Sequence, residues 1–430
     1  MAELTIDGTG ERGAIGAPVR HVAAAAIGNV LEAYDFIIYA YFAVQIGRAF
    51  FPAHTAFASL MLSLATFGAG FFSRPLGALV IGRIGDRRGR KPAMLLSFGL
   101  MGLSMLAMAA MPTYAMIGLP APLLVLAARL TQGFAMGGEI GSTTTFMMEA
   151  APARKRGRYT AWQIATQGAA TLLSGLGGAA LTHSLSSQGV QDWGWRIAFL
   201  AGAVVLPFGL WLRRGLPETL DSQPAPARPE TRAANPLAGH GRTIALAFLV
   251  IGNINIAFYL LSYLTTYSVV YLHMTPAAAF AAPIAFGLCN IVFSLIGGAA
   301  SDRFGRKPVM IWPRVLLLAV TWPAFLLLTR RHDATTLVLV TAVLATLSQI
   351  GAGSVIVAVT EALPKAARCL ALSLIYATSA AVFGGTAQFV LTWLLHTSGD
   401  LMAPAWYFMA STAIGLVAMA LMRETAPGRR

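Results

Sequence analysis

Apolar runs of about twenty residues succeed one another along this chain from position 21 to position 422, each closed off by a short polar connection. They cover 21–46, 57–84, 93–111, 121–148, 159–183 and 195–212, then 244–272, 277–300, 309–328, 337–360, 370–395 and 404–422. About 20 apolar residues, wound as a helix, cross the hydrocarbon of a bilayer. Each run therefore predicts one spanning helix, and the twelve together predict an all-α membrane protein. A polar tail, 1–20, precedes the first run. Residues 213–243 are rich in proline, alanine and charge and lack a helical apolar period, which predicts a flexible linker. The expected units are that tail, a six-helix bundle at 21–212, the linker, a second six-helix bundle at 244–422 and a tail at 423–430.

An internal repeat supports the same division. GRIGDRRGRKP at 82–92 returns as GAASDRFGRKP at 298–308, with Asp302 and Arg306 standing where Asp86 and Arg90 stand. Glu149, Ala150, Pro152 and Arg156 return as Glu361, Ala362, Pro364 and Arg368. The offsets, 216 and 212 residues, keep the two matches in order across a small insertion or deletion. Duplication of this kind predicts two bundles related by an axis along the membrane normal, with a substrate site between them near mid-membrane.

Composition narrows the class. Of 430 residues, 57% are hydrophobic and 11% charged, more apolar surface than one water-soluble core of this length hides. The net charge of +14 sorts by connection. Arg83, Arg87, Arg88, Arg90 and Lys91 share one loop, and Arg154, Lys155, Arg156 and Arg158 share another. The alternate connections hold only Arg48, Arg196, Arg330 and Arg331. By the positive-inside rule both termini and the linker are expected in the cytoplasm, so the basicity is an orientation signal and no nucleic-acid partner is expected. No basic segment followed by a short apolar stretch opens the chain, so a cleaved signal peptide is not expected. Cys289 and Cys369 fall in apolar runs and are expected as packing residues, not as a disulfide or a metal site. No cofactor is expected. No nucleophile and base pair, metal cluster or phosphate loop argues for an enzyme.

The stretch RPLGALVIGRIGDRRGRKP at 74–92, repeated in the second half, resembles the signature loop of the major facilitator superfamily. GNVLEAYDF at 28–36, RLTQGFAMGGE at 129–139 and EAAPARKRGRYTAWQ at 149–163 resemble its metabolite:proton symporters, carriers of citrate and tricarballylate, 2-oxoglutarate, shikimate, and proline or betaine. AWQIATQ at 161–167, FGGTAQ at 383–388 and TSGDLMAP at 397–404 are most similar to the citrate and tricarballylate carriers. The resemblance implies the major facilitator fold, two pseudo-symmetric six-helix bundles in the inner membrane, and proton-coupled import of a small organic anion by alternating access. Membrane lipid is then the surrounding partner, and a monomer suffices. The second half departs from the citrate pattern at Gly351 and Ala352, where citrate-type carriers tend to have Tyr and Asn. That departure keeps 2-oxoglutarate, shikimate and proline or betaine as alternatives. An efflux antiporter or a carboxylate sensor fits less well.

Charged side chains inside apolar runs cost about 2.5 to 3.5 kcal/mol each on insertion scales, so those that persist face a partner or a wet cavity. The first run carries Glu32 and Asp35, the second Arg74, the fourth Arg129 and Glu139, the ninth Arg314. Glu32 and Asp35 lie a turn apart, close enough for repulsion to make one proton exchangeable. They are the proton-coupling candidates, with Glu139 a third acid, unless Arg74 neutralises one as a structural pair. Arg129 is the first choice for gripping a substrate carboxylate, with Gln132 on its face. Its alternative is an internal pair with Glu32, Asp35 or Glu139. Asn29 shares the face of Glu32. Gln163 and Gln167 offer amides to carboxylate or hydroxyl oxygens, or else hold helices together. Tyr259, Asn290 and Ser379 are the candidates for the opposite wall. Arg314, seven residues beyond Lys307, is expected to snorkel to the cytoplasmic surface, or else to turn inward as a second cation for a multivalent anion. The resemblance implies that Asp86, Arg90, Glu149, Asp302, Arg306 and Glu361 form a gate that clamps helix ends when the carrier faces outward.

Overall fold

The computed structural model describes residues 29–30, 33–88, 90–137, 139–149, 151–203 and 239–427, except for the side chains of Asp86, Arg90 and Glu139 and a few others. Glu32, the tail 1–20 and most of the linker lie outside the described residues, and the expected domain boundaries near 20 and 213 lie there with them. Residues 33–41 and 195–203 are helical, and the other helices of eight residues or more among the described residues are α1 (Ala43–Phe50), α2 (Ala56–Phe72), α3 (Arg74–Arg88), α4 (Arg90–Ala110), α5 (Pro120–Met136), α6 (Glu139–Glu149), α7 (Arg156–Ser184), α8 (Gly241–Val270), α9 (Ala281–Phe304), α10 (Arg306–Arg330), α11 (Ala334–Ala362), α12 (Arg368–Ser379), α13 (Gly385–Ser398) and α14 (Ala403–Leu421). No strand occurs among the described residues.

Among the described residues, seven helical stretches are long and apolar enough to cross a bilayer, including Ala56–Ile84, Gly241–Val270 and Arg368–Ser398. The remaining runs fall short for identifiable reasons. The first and sixth are only partly described, and the fourth is interrupted at position 138, outside the described residues. In the third, the apolar stretch is the shorter Leu95–Ala110. The fifth, α7, is 29 residues long but carries Gln163, Thr166, Thr171 and Ser174, all buried. Its polarity is the mark of a helix that faces protein.

The partner of α7 is α9, and theirs is the most extensive helix pairing among the described residues. It joins the two halves of the chain. Close backbone approach makes it possible, since a Cβ at Gly298 would come within 2.4 Å of the Gly157 carbonyl oxygen. A second tight crossing, α2 on α5, lies within the first half, where a Cβ at Gly133 would sit 1.6 Å from the Gly70 oxygen. Small residues are what let membrane helices approach this closely, because lipid is as apolar as Leu and packing has to supply the attraction. In the eleventh run, one wider π turn at Ala380–Gly384 separates α12 from α13. Gly384 there lies against Tyr259, and Gly385 against the Gly68 backbone.

Beyond α14 the chain folds back on the start of α10. The Glu424 carboxylate accepts from the backbone N–H of Arg306 and of Lys307, both at 3.0 Å, capping a helix whose preceding residue, Gly305, offers no side chain. Thr425 donates to Glu361 at 2.9 Å. Burial would push the Glu424 carboxyl up, but backbone donors from Ala426, Lys307, Arg306 and Thr425 together hold it below the usual carboxylate range. A carboxyl with a lowered folded-state pKa contributes stability above its unfolded pKa and loses it as pH falls through the folded value. Glu424→Ala is therefore expected to cost about 1 kcal/mol at neutral pH, with the difference from the parent protein shrinking in acid. Thermal unfolding of the purified protein across a pH series measures it.

Candidate functional site

Three groups of polar side chains converge in this fold. The first surrounds a cavity of about 30 Å³ between the halves, with room for on the order of two waters. Asn29, Phe36, Arg74, Met136 and Gln167 reach it from the first half, and Asn255, Phe258, Tyr259 and Tyr376 from the second. Gln167 spans the gap, its Nε2 donating to the Tyr376 hydroxyl at 3.4 Å. The volume is small and is walled from both halves.

Closure is visible at both ends. At the end expected to face outward, Phe280 of the second half packs on Tyr41 and Phe42, with ring centroids 6.2 and 5.8 Å apart, and Phe57 stacks on His396 at 3.6 Å. At the other end, the Asp302 carboxylate accepts from the backbone of Gly157 at 2.8 Å and Arg158 at 2.9 Å. An acid of the second half thus caps the N-terminus of a first-half helix, where the helix dipole favours negative charge.

That contact belongs to the second group, a charge cluster. Arg306 is nearly unexposed and grips Glu361 with two parallel bonds, Nε at 3.2 Å and Nη2 at 3.3 Å. Its Nη1 donates to Asp302 at 2.6 Å and to Ser301 at 3.0 Å. Arg156, from the first half, lies 3.8 Å from Glu361. Of the six expected gate residues, Asp302, Arg306 and Glu361 therefore meet, and Glu149 is exposed nearby with its charge acting on Arg368. The side chains of Asp86 and Arg90 lie outside the described residues. Removing the cross-half cap by Asp302→Ala is expected to speed hydrogen exchange at the amides of Gly157 and Arg158 by about tenfold, read by mass spectrometry.

The third group is buried in the first half. Asp35 is fully buried; Gln132 donates to its Oδ1 at 3.0 Å, and Arg129 stands 3.9 Å from its Oδ2, which accepts no hydrogen bond. Arg129, also fully buried, donates to Gln132 and lies over the rings of Phe36 at 4.2 Å and Tyr39 at 4.5 Å. The carboxylate thus keeps one oxygen free for a proton. Its cation has other partners to hold it when the charge of Asp35 is cancelled.

Of the eight residues expected to hold substrate, Asn29, Gln167 and Tyr259 line the cavity. Arg129 and Gln132 are committed to Asp35. Gln163 donates to Asn29 at 3.1 Å and so positions it. Ser379 donates to the Phe248 carbonyl at 3.0 Å, tying α12 to α8. Asn290 is fully buried against Gly168, both amide atoms unpartnered. Glu32 and the Glu139 side chain lie outside the described residues.

Two expectations are corrected. Arg314 does not snorkel. It is fully buried, donates to Ser348 at 3.2 Å, and leaves Nε and Nη2 unpartnered. Distance along the chain to Lys307 was a poor guide because residue 314 faces α11 and not the lipid. A Cβ at Gly351 would stand 3.3 Å from the Arg314 Nε, so the departure at Gly351 makes room for that arginine and does not touch the cavity. Cys369, expected as a packing residue, is exposed, and Cys289 is half-buried. The wall also holds Arg74, expected only as a counter-ion. Its signal was the same as that of Arg129: an arginine far inside an apolar run.

The model of the Major Facilitator Superfamily matches residues 25–292, and that described as Sugar (and other) transporter matches residues 240–427. The chain is 36% identical over 424 residues to a citrate-proton symporter of Salmonella typhi, across 98% of this chain and 96% of the other. It is 33% identical to the alpha-ketoglutarate permease of Escherichia coli (strain K12), across 95% and 94%. Among solved structures, the inward open conformation of the xylose transporter XylE from E. coli is similar with a TM-score of 0.74 at 17% identity, over 95% of this chain and 97% of that one, a likeness of fold.

Proposed function

The chain belongs to the Major Facilitator Superfamily, and on that premise we propose that it is a proton-coupled importer of an organic carboxylate, citrate or a related tricarboxylate, working by alternating access in the cytoplasmic membrane with both termini inside. The observation that carries the proposal is the buried Asp35 with one carboxylate oxygen free, one residue along the helix from Phe36 on the cavity wall. A proton taken by Asp35 ends its pairing with Arg129, which stays on Gln132 and the aromatic faces, and the first half is then free to shift against the second. Substrate and proton enter while the outer contacts at Phe280 and Phe57 are apart and the Asp302 cap holds the inner end shut. Release follows when the inner cluster parts. Each elementary charge moved across 100 mV is worth about 2.3 kcal/mol, so a trianion entering a negative-inside cell needs about three protons to cancel its charge and a further one to draw on the potential.

One second reading has an observation in its favour. Identity to the alpha-ketoglutarate permease, at 33%, is close to the 36% with the citrate symporter. The dicarboxylate 2-oxoglutarate is therefore the rival substrate. Exchange of labelled citrate by the reconstituted protein, challenged with unlabelled citrate, tricarballylate, 2-oxoglutarate, shikimate, proline and betaine, tests it. Tricarboxylates alone compete if the first reading holds; competition by 2-oxoglutarate with none by tricarballylate selects the second.

A further inference from the structure

We infer that Arg74 is the charged ligand of the substrate, and that the species it receives is a partly protonated polycarboxylate with a single ionised carboxylate. The inference rests on the proposed function and deepens it. Among the described residues on the cavity wall, Arg74 is the one that carries a charge. It follows the turn at Ser73 that separates α2 from α3, and it is 4% exposed.

Its partners are soft ones. The guanidinium carbon lies 4.0 Å from the centre of the Phe71 ring and 4.5 Å from that of Phe36. Nη2 points to the Met136 sulfur at 3.6 Å, and Nε makes no hydrogen bond. The Tyr259 hydroxyl, from the other half, lies within its reach. Ring faces and a thioether steady a guanidinium without using up the in-plane N–H fork that matches a carboxylate. Arg129 shares the Phe36 ring face and leaves its own Nε and Nη2 unpartnered, but it faces the Asp35 carboxylate, donates to Gln132 and is not among the residues lining the cavity.

The remaining polar groups on the wall are neutral: Gln167, Asn255, Tyr259 and Tyr376, with Asn29 held by Gln163. Amides and phenols recognise a protonated carboxyl or a hydroxyl as readily as a carboxylate, but they do not neutralise charge. One cation among neutral donors balances one negative charge, and further bare carboxylates in a closed site would be left uncompensated. The rest of the substrate therefore arrives protonated. Protons carried on the substrate also resolve the arithmetic of import, because Asp35 alone cannot supply about three.

The test is equilibrium binding of labelled citrate to the purified full-length protein in detergent, over a pH series spanning the ionisations of citrate. Wild-type affinity for total citrate is expected to fall about tenfold per pH unit for each proton the bound species requires. Arg74→Gln is expected to bind about 100-fold more weakly, and Arg74→Lys to lie between, because an ammonium keeps the charge and loses the fork. Arg129→Gln is expected to keep pH-dependent binding while losing proton-driven accumulation. Thermal unfolding of each variant separates loss of a ligand from loss of fold, and if Arg74→Gln does not fold, Arg74→Lys and the wild-type pH series decide. Citrate binding that is unchanged in folded Arg74→Gln, or that does not vary with pH, overturns the inference and leaves the proposed function standing. If the wild type binds 2-oxoglutarate and not citrate, the tricarboxylate reading fails, and the same variants measured with 2-oxoglutarate still judge Arg74.

Discussion

Asp35→Asn is expected to lower proton-driven citrate accumulation by at least about 100-fold while leaving citrate exchange, which needs no net proton movement, within about threefold. The reasoning starts from geometry. Asp35 is fully buried and makes one good hydrogen bond, from Gln132 at 3.0 Å, while its ion pair with Arg129 is long at 3.9 Å. A tight bidentate pair would be a poor switch, because protonation would have to break it. Here the uncommitted Oδ2 takes the proton, and Arg129 stays on Gln132 and the aromatic faces. Asparagine imitates the protonated acid in shape and charge but cannot give the proton back. Accumulation and exchange, measured in the same proteoliposomes, separate this role from a structural one, since a misfolded carrier loses both.

The second large effect is structural. Gly133→Val is expected to destabilise the protein by about 3 kcal/mol or more and to abolish uptake, whereas Gly99→Ala is expected to do neither. A Cβ at Gly133 would stand 1.6 Å from the Gly70 oxygen and 2.4 Å from the Ser73 Oγ, and the obstacle at Gly70 is backbone, which cannot rotate away. The helices would have to part. Ser73 now bridges them, its hydroxyl 2.7 Å from the Leu130 carbonyl and 2.8 Å from that of Gly70. Arg74 stands next to this bridge in the chain, and Arg129 lies one turn before Gly133, so the crossing that glycine permits also sets the position of both arginines. At Gly99 a Cβ meets nothing within 4 Å. Thermal unfolding of both variants in the same detergent gives the comparison.

The spanning runs and the repeated Asp-x-x-Gly-Arg-Lys-Pro loop are patterns of period and order, and such patterns survive in a linear sequence. They suffice for the fold class, and the buried acid and arginines were found the same way, because a charge in an apolar run stands out. What the sequence did not reveal is which way each charge points. Arg74, Arg129 and Arg314 look alike along the chain, yet one faces a cavity, one an acid and one a serine on the next helix. A helix turns by about 100° per residue, so a small error in phase moves a side chain from lipid to core. Ser379 shows the same limit, being polar for the sake of a helix contact. Glu424 was invisible for another reason: a cap on the start of α10 supplied from 118 residues away leaves no local trace.

Uptake of labelled citrate into proteoliposomes, with an inward proton gradient imposed and then collapsed by a protonophore, tests the central claim most directly. The account predicts accumulation above the outside concentration while the gradient lasts and efflux to equality when it is removed. Citrate that only equilibrates, at a rate and level indifferent to the gradient, would contradict it.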